Sequence, residues 1–390
     1  MSKNSKNSKR ASTSKEVTRT VKSNDSLVSR NGIVFKQQFS TEEEINNQAG
    51  EIRGASSTTS RPSRSIMSHL FGGCFGSDIV YNPADQFVTD TTFFADCFVT
   101  LSHGVTAYRY IEPPIDDKTD IDQLPVTILL HGLYNFSYMW ADLADTLTAN
   151  EQGLYSRVLI FDFYGRGRSP WTGVPISLDS LVVQTKELVD FLGLDKVSLS
   201  LIGYDLGAVV AVGFAAKYPL LCKSLTLISP LGIKYRGQPK EKLLCRKYIG
   251  EYMILNRKKV IPNEQNDHYY NNAPYTSHFP YVSRDINMVK WQIINTPGYL
   301  GAILSTYRKF PIRRMDDLYN AIGLHTRPVL IILGDHDVII SFNSTLKKLT
   351  KWFPNGQIVD VRDCGHNVLG ENFSDATNEI LCFHKTIFTK

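Results

Sequence analysis

Three short stretches carry side chains of the types that nucleophilic and general-base chemistry uses. The first is Gly203-Tyr204-Asp205-Leu206-Gly207. Its glycines allow a turn so tight that the middle carboxylate stands exposed. The second is Gly334-Asp335-His336-Asp337, and the third is Asp363-Cys364-Gly365-His366. Alone, G-x-D-x-G is an ordinary turn and a lone histidine is a satisfied structural one. Their places on the surrounding elements change both readings.

Those elements alternate. Phe93–Ile111 reads as a hairpin around Ser102–Gly104. Pro125–Leu130, Arg157–Phe163, Lys196–Ile202, Lys223–Ser229 and Pro328–Leu333 are short apolar runs, as strands buried on both faces require. Gln357–Val361 adds a last strand. Helical spacing falls between them, at Tyr138–Thr148, Leu178–Leu192, Ala208–Lys217, near Leu346–Trp352 and at Asp375–Phe388. Alternation of this kind predicts an α/β fold with a mostly parallel sheet and helices on both faces. The GYDLG turn follows one buried strand and opens a helix of small residues. Asp337 ends another strand, and His366 follows the last.

Between Lys234 and His325 the alternation breaks, with Tyr, Asn and basic residues and no buried strand. An inserted, mainly helical cap over the strands' C-terminal edge is expected there. The predicted organisation is a basic Ser/Thr-rich disordered tail at 1–64, a first part of the core at 65–233, the cap at 234–325 and a second part of the core at 326–390.

With the strand–turn–helix context and the order of the three stretches, the chain resembles the α/β-hydrolase superfamily. His131-Gly132 ends a strand where that fold places its oxyanion loop. Asp162-Phe163-Tyr164-Gly165-Arg166-Gly167-Arg168-Ser169 looks like its D-x-x-G-x-G-x-S turn. The resemblance covers roughly Phe93 to Phe388, leaving the cap unmatched. It implies that Asp205 is the nucleophile, Asp337 the acid orienting the histidine and His366 the base. It also implies that the N–H groups of Leu133 and Leu206 are the oxyanion-hole donors. Asp335 is the rival to Asp337; the family usually uses the second acidic position.

Most family members have serine where Asp205 stands. An aspartate, with an ordinary pKa near ~4, is already ionised at neutral pH and needs no base to attack. Attack on an ester carbonyl would give a mixed anhydride, which is uphill. The natural target is a saturated electrophilic carbon, and His366 would then activate water against the resulting ester. Within the superfamily this resembles the epoxide hydrolases and haloalkane dehalogenases. Tyr134 stands where their H-G-x-P proline is expected, and Leu206 where dehalogenases have the halide-binding tryptophan, so dehalogenase is the poorer match. The ten tyrosines of the cap, from Tyr235 to Tyr319, supply proton donors for an opening epoxide without singling out a pair. The GRGRS turn and TPGYLGAILSTYRKFP resemble serine esterases more closely. The alternatives are therefore a non-catalytic binding or signalling protein and an esterase or lipase relative whose serine became aspartate.

Composition narrows the partners. The 390 residues carry a net charge of +5. Residues 1–64 hold 12 Lys/Arg and 6 Asp/Glu, a net of +6, so the remainder carries 5 − 6 = −1. A nearly neutral body argues against nucleic-acid binding. The basic tail, and a cap rich in Lys and Arg, predict peripheral contact with anionic membrane. Ser68–Ser77 is apolar and Gly-rich and reads as a piece packed on the body. The six cysteines lack CxxC spacing, so neither metal nor cofactor is expected. The polar start lacks a signal-peptide core, and no apolar run approaches the ~18 residues of a membrane span. A cytoplasmic protein acting on a small apolar or lipid-like substrate is the expectation.

Overall fold

The computed structural model describes residues 94–114, 120–149, 156–236, 241–256, 261, 268–269 and 279–388. It also gives the backbone of two short antiparallel strands, Leu27–Arg30 and Ile33–Lys36. Apart from that hairpin, the expected disordered tail and the Ser68–Ser77 piece lie outside the described residues.

Eight strands form one sheet: β1 (Cys97–Leu101), β2 (Gly104–Ile111), β3 (Val126–Leu130), β4 (Arg157–Phe161), β5 (Leu199–Tyr204), β6 (Cys222–Ile228), β7 (Val329–Gly334) and β8 (Gln357–Val361). Their spatial order is β8-β7-β6-β5-β3-β4-β2-β1. The β1–β2 and β2–β4 pairs are antiparallel, and all the others are parallel. The hairpin at one edge and the six parallel strands match the expected layout, with ends shifted by a residue or a few. The runs VTILL, RVLIF and VLIILG are buried throughout because helices cover both faces.

Side chains alternate between two cores. Ile128, Leu201, Leu227 and Ile331 face one, packed with α2 (Leu178–Phe191) and α3 (Leu206–Lys217). Leu129, Ile202, Ile228 and Ile332 face the other, packed with α1 (Ala141–Thr148) and α11 (Phe373–Phe388). Ser177 closes a capping box on α2 with Ser180, which satisfies otherwise orphaned N–H groups. α3 is apolar on every side and buried along nearly its whole length.

From β3 the chain steps outward to β4, then crosses back over β3 to form β5. At that reversal the loop after β3 and the turn after β5 lie side by side at the strands' C-terminal ends. This is where sheets of this type hold ligands. Between β6 and β7 the described segments are helical: α4 (Glu241–Leu244), α5 (Ile249–Asn256), α6 (Phe279–Asn295), α7 (Tyr299–Lys309) and α8 (Asp316–Gly323). After β7 come α9 (Phe342–Trp352) and, after β8, α10 (Val368–Glu371). No helix among the described residues is long and apolar enough to cross a membrane.

Candidate active site

Only Asp205 separates β5 from α3, and it takes φ 55°, ψ −114°. A non-glycine residue in that region is strained and persists only where its surroundings over-determine it. Here they do. A Cβ on Gly203 would lie 2.4 Å from Gly207 O, and one on Gly207 would lie 2.0 Å from Leu130 O. Both flanking positions must be glycine for the turn to close against the sheet. The Asp205 N–H donates to Ile228 O at 3.0 Å, and its carbonyl accepts from Leu231 N at 3.3 Å. The backbone is thus pinned to β6 and to the loop that follows it.

Asp205 is 4% exposed. Its Oδ2 accepts from Leu133 N–H at 2.6 Å, and its Oδ1 lies 3.2 Å from His366 Nε2. His366 Nδ1 lies 2.7 Å from Asp337 Oδ2, whose partner oxygen accepts from Ile339 N and Ile340 N at 2.8 and 2.9 Å. The rival Asp335 instead binds His336 and Cys364 N–H. The structure therefore brings together Asp205, Asp337, His366 and Leu133. No bond runs from the Asp205 side chain to the first turn of α3, where Leu206 stands.

Burial works against charge on the His366 ring, but the carboxylates of Asp337 and Asp205 outweigh it, and its pKa is pushed up to about 10. His268, edge-on to His366 at 5.2 Å between ring centres, is pulled down to about 4 by burial and by the neighbouring charge.

The loop after β3 is held on several sides. His131 Nε2 accepts from Phe163 N–H at 3.0 Å while Nδ1 faces Gly132 O, and burial pulls its pKa down to about 3. Asp162 anchors the neighbouring turn, taking Ser137 N–H and Arg168 N–H at 2.8 Å each. Arg166 in that turn is buried. Its Nε donates to Leu133 O at 2.8 Å and its Nη2 to Thr306 on α7 at 3.0 Å. Burial pulls this guanidinium down to about 10. Tyr134 O accepts from Gln292 Nε2 at 2.8 Å and from Tyr299 OH at 3.3 Å, and its own hydroxyl lies 2.7 Å from Tyr307 OH. Tyr134, standing where a proline was expected, is thus a junction between the loop and the insert.

The histidine loop has a matching latch. Asn367 Nδ2 donates to Asp285 Oδ2 on α6 at 2.7 Å, and Tyr138 OH donates to Asp285 Oδ1 at 2.9 Å. Burial holds the Asp285 carboxyl above its usual range. Sequence reasoning missed Arg166, Gln292, Asp285, Asn367 and His268. Only Arg166 and Asn367 carried a local signal, a cation between two glycines and a neighbour of the histidine. Among the described residues no group of three His, Cys, Asp or Glu is placed to hold a metal.

A family model described as alpha/beta hydrolase fold matches residues 125–253. Lipase 3 of Moraxella sp. (strain TA144) is 26% identical over 261 residues, 66% of this chain and 76% of that protein. Epoxide hydrolase 4 of Mus musculus is 27% identical over 144 residues, 36% of each chain. A solved structure of a thermophilic esterase from Thermogutta terrifontis superposes with a TM-score of 0.59 at 21% identity, covering 74% of this chain and 98% of that one. The chain has the α/β-hydrolase fold. Relatives carrying lipase and epoxide hydrolase names support hydrolase as its class.

Proposed function

We propose that this chain is a hydrolase that opens an epoxide-like electrophilic carbon with the Asp205 carboxylate and then hydrolyses the resulting ester. The observation that carries this reading is the division of labour between the two carboxylate oxygens. Oδ2 is held by Leu133 N–H, while Oδ1 faces His366 Nε2. An oxygen so held is where negative charge collects when water later adds to the ester carbonyl.

In the first step Oδ1 attacks the carbon, a C–O bond of the epoxide breaks, and the freed oxygen takes a proton. We assign that proton to the Tyr134–Tyr307 hydroxyl pair, one member of which adjoins Leu133. Esterification removes one of the two anions facing His366, so its pKa falls and the ring can lose its proton. Neutral His366 then takes a proton from water, and the hydroxide adds to the Asp205 carboxyl carbon. The adduct collapses, His366 protonates the departing alkoxide, and a vicinal diol leaves; the proton now on the Asp205 carboxyl and the one His366 gave up earlier restore the tyrosine hydroxyl and the imidazolium. Asp337 holds the ring throughout. We place the substrate among small apolar or lipid-like molecules.

The test is the variant His366→Gln given styrene oxide. Ester formation needs only the carboxylate, while hydrolysis needs the imidazole. A stable adduct should accumulate on the peptide containing Asp205, seen by mass spectrometry. Absence of adduct in this variant, with a panel of epoxides turned over by the wild type, would overturn the reading.

A further inference from the structure

Scattered exposed apolar side chains are normal on any protein surface. One stretch here departs from that pattern. Nine large apolar side chains are exposed among the described residues. Four of them, Leu243 (42%), Tyr248 (55%), Ile249 (42%) and Tyr252 (64%), fall within ten residues on the α4–α5 segment. Ile249 and Tyr252, three residues apart on α5, share a face, and Tyr248 immediately precedes that helix. Tyr248 holds φ 65°, a left-handed conformation uncommon for an aromatic residue. Behind the exposed side chains the turn is tightly seated, since a Cβ on buried Gly250 would lie 2.1 Å from Leu244 O.

The same surface is strongly basic. Residues 241–256 and 307–314 contain seven Lys/Arg against two Glu. Arg308 joins the two segments, donating to Leu244 O and Arg246 O. Both glutamates are engaged, Glu251 by Arg308 at 2.7 Å and Glu241 by Arg313 at 3.1 Å. Lys242, Arg246, Lys247, Lys309 and Arg314 are exposed and have no carboxylate partner among the described residues. Beside them opens a cavity of about 350 Å³, lined by Tyr307, Phe310, Ile312 and Arg314 among others. Tyr307 carries the wall of that cavity to the loop that holds Asp205.

We propose that the α4–α5 face, with the neighbouring end of α7, is a docking surface for an anionic lipid bilayer. Tyrosine rings sit at the headgroup level, leucine and isoleucine enter the acyl boundary, and the cations meet anionic headgroups. Each lysine or arginine near such a surface adds to the attraction. A polyanion without an apolar phase would satisfy the cations but leave Leu243 and Ile249 in water. The surface stands independently of the chemistry assigned to Asp205.

The full chain is tested by co-sedimentation with vesicles of phosphatidylcholine alone or with about a third phosphatidylserine. Wild type should bind the anionic vesicles and lose affinity as salt rises. Combining Lys242→Glu, Arg246→Glu and Lys247→Glu should lower the partition at least tenfold. The pair Ile249→Ser and Tyr252→Ser should lower it severalfold even where the salt dependence persists. A Tyr252→Trp chain should show added fluorescence quenching by brominated lipid. Partition unchanged by the charge reversals would place binding elsewhere and overturn the proposal. So would wild type that binds soluble polyglutamate but neither vesicle.

Discussion

The turn that carries Asp205 and the loop that carries Leu133 meet at one carboxylate, yet they are held in opposite ways. The turn is locked by sterics. Gly203 and Gly207 press against backbone atoms with no room for a Cβ, and Asp205 is bonded to β6 on one side and to the loop after it on the other. The loop is locked by polar side chains from elsewhere: Arg166 on Leu133 O, and Gln292 and Tyr299 on Tyr134 O. The position of the carboxylate therefore comes from the sheet itself. The N–H that polarises it depends on a clamp whose members can be removed one at a time, several of them on the insert.

The turn should break hardest. In Gly207→Ala the new methyl group must displace the Leu130 carbonyl, 2.0 Å away. Backbone cannot yield as a flexible side chain can, so a loss beyond ~4 kcal/mol is expected. Little folded protein should be recovered, as judged by circular dichroism and thermal melting. A normally stable Gly207→Ala chain would mean that the turn is not sterically locked.

Cutting the clamp should cost function more than fold. Arg166→Met leaves Leu133 O unpaired but also removes a buried guanidinium. The net stability loss should stay near ~1 kcal/mol. Rapid-quench kinetics with an epoxide should show ester hydrolysis slowed about tenfold, with ester formation changed less, since the Leu133 N–H is needed most when an oxyanion forms. Equal losses in both steps would show that Arg166 does not aim this loop.

The smallest effect is a slope. His366 has its folded pKa raised to about 10 from an ordinary value near ~6.5, so the folded state binds more protons than the unfolded state between these values. Stability from this group is complete below ~6.5 and is lost as pH rises towards about 10. Denaturant midpoints should fall across that window for the wild type, and His366→Gln should lose this part of the decline. Asp205→Asn, with one anion fewer, should lower the His366 pKa in an NMR titration. Identical pH profiles for wild type and His366→Gln would contradict the placement of His366 between two carboxylates.

The locked half of this comparison was legible in the sequence and the clamped half largely was not. Runs such as VTILL and VLIILG are readable because burial on both faces leaves almost no polar position, Thr127 being paired with Ser156. G-x-D-x-G is readable because the steric demand falls on neighbours in the chain. The position the family uses favours Asp337 over Asp335; in the structure Asp337 bonds His366 and Asp335 bonds His336. Gln292 bonds Tyr134 across 158 positions and Asp285 bonds Asn367 across 82. No local pattern marks such pairs, because they exist only once the insert is packed on the loops. In the sequence Tyr134 is only a departure from a motif; in the structure its carbonyl and hydroxyl tie the loop to α6 and α7.

The most direct test of Asp205 as nucleophile is a single turnover of an epoxide by excess wild-type enzyme in heavy-oxygen water. If water adds to the Asp205 carboxyl carbon, the label enters that carboxylate. Mass spectrometry of the peptide spanning Gly203 to Gly207 should then find the heavy oxygen on Asp205, with the first diol released unlabelled. Diol that carries the label while the Asp205 carboxylate does not would mean that water attacks the substrate directly, and the role assigned to Asp205 would be wrong.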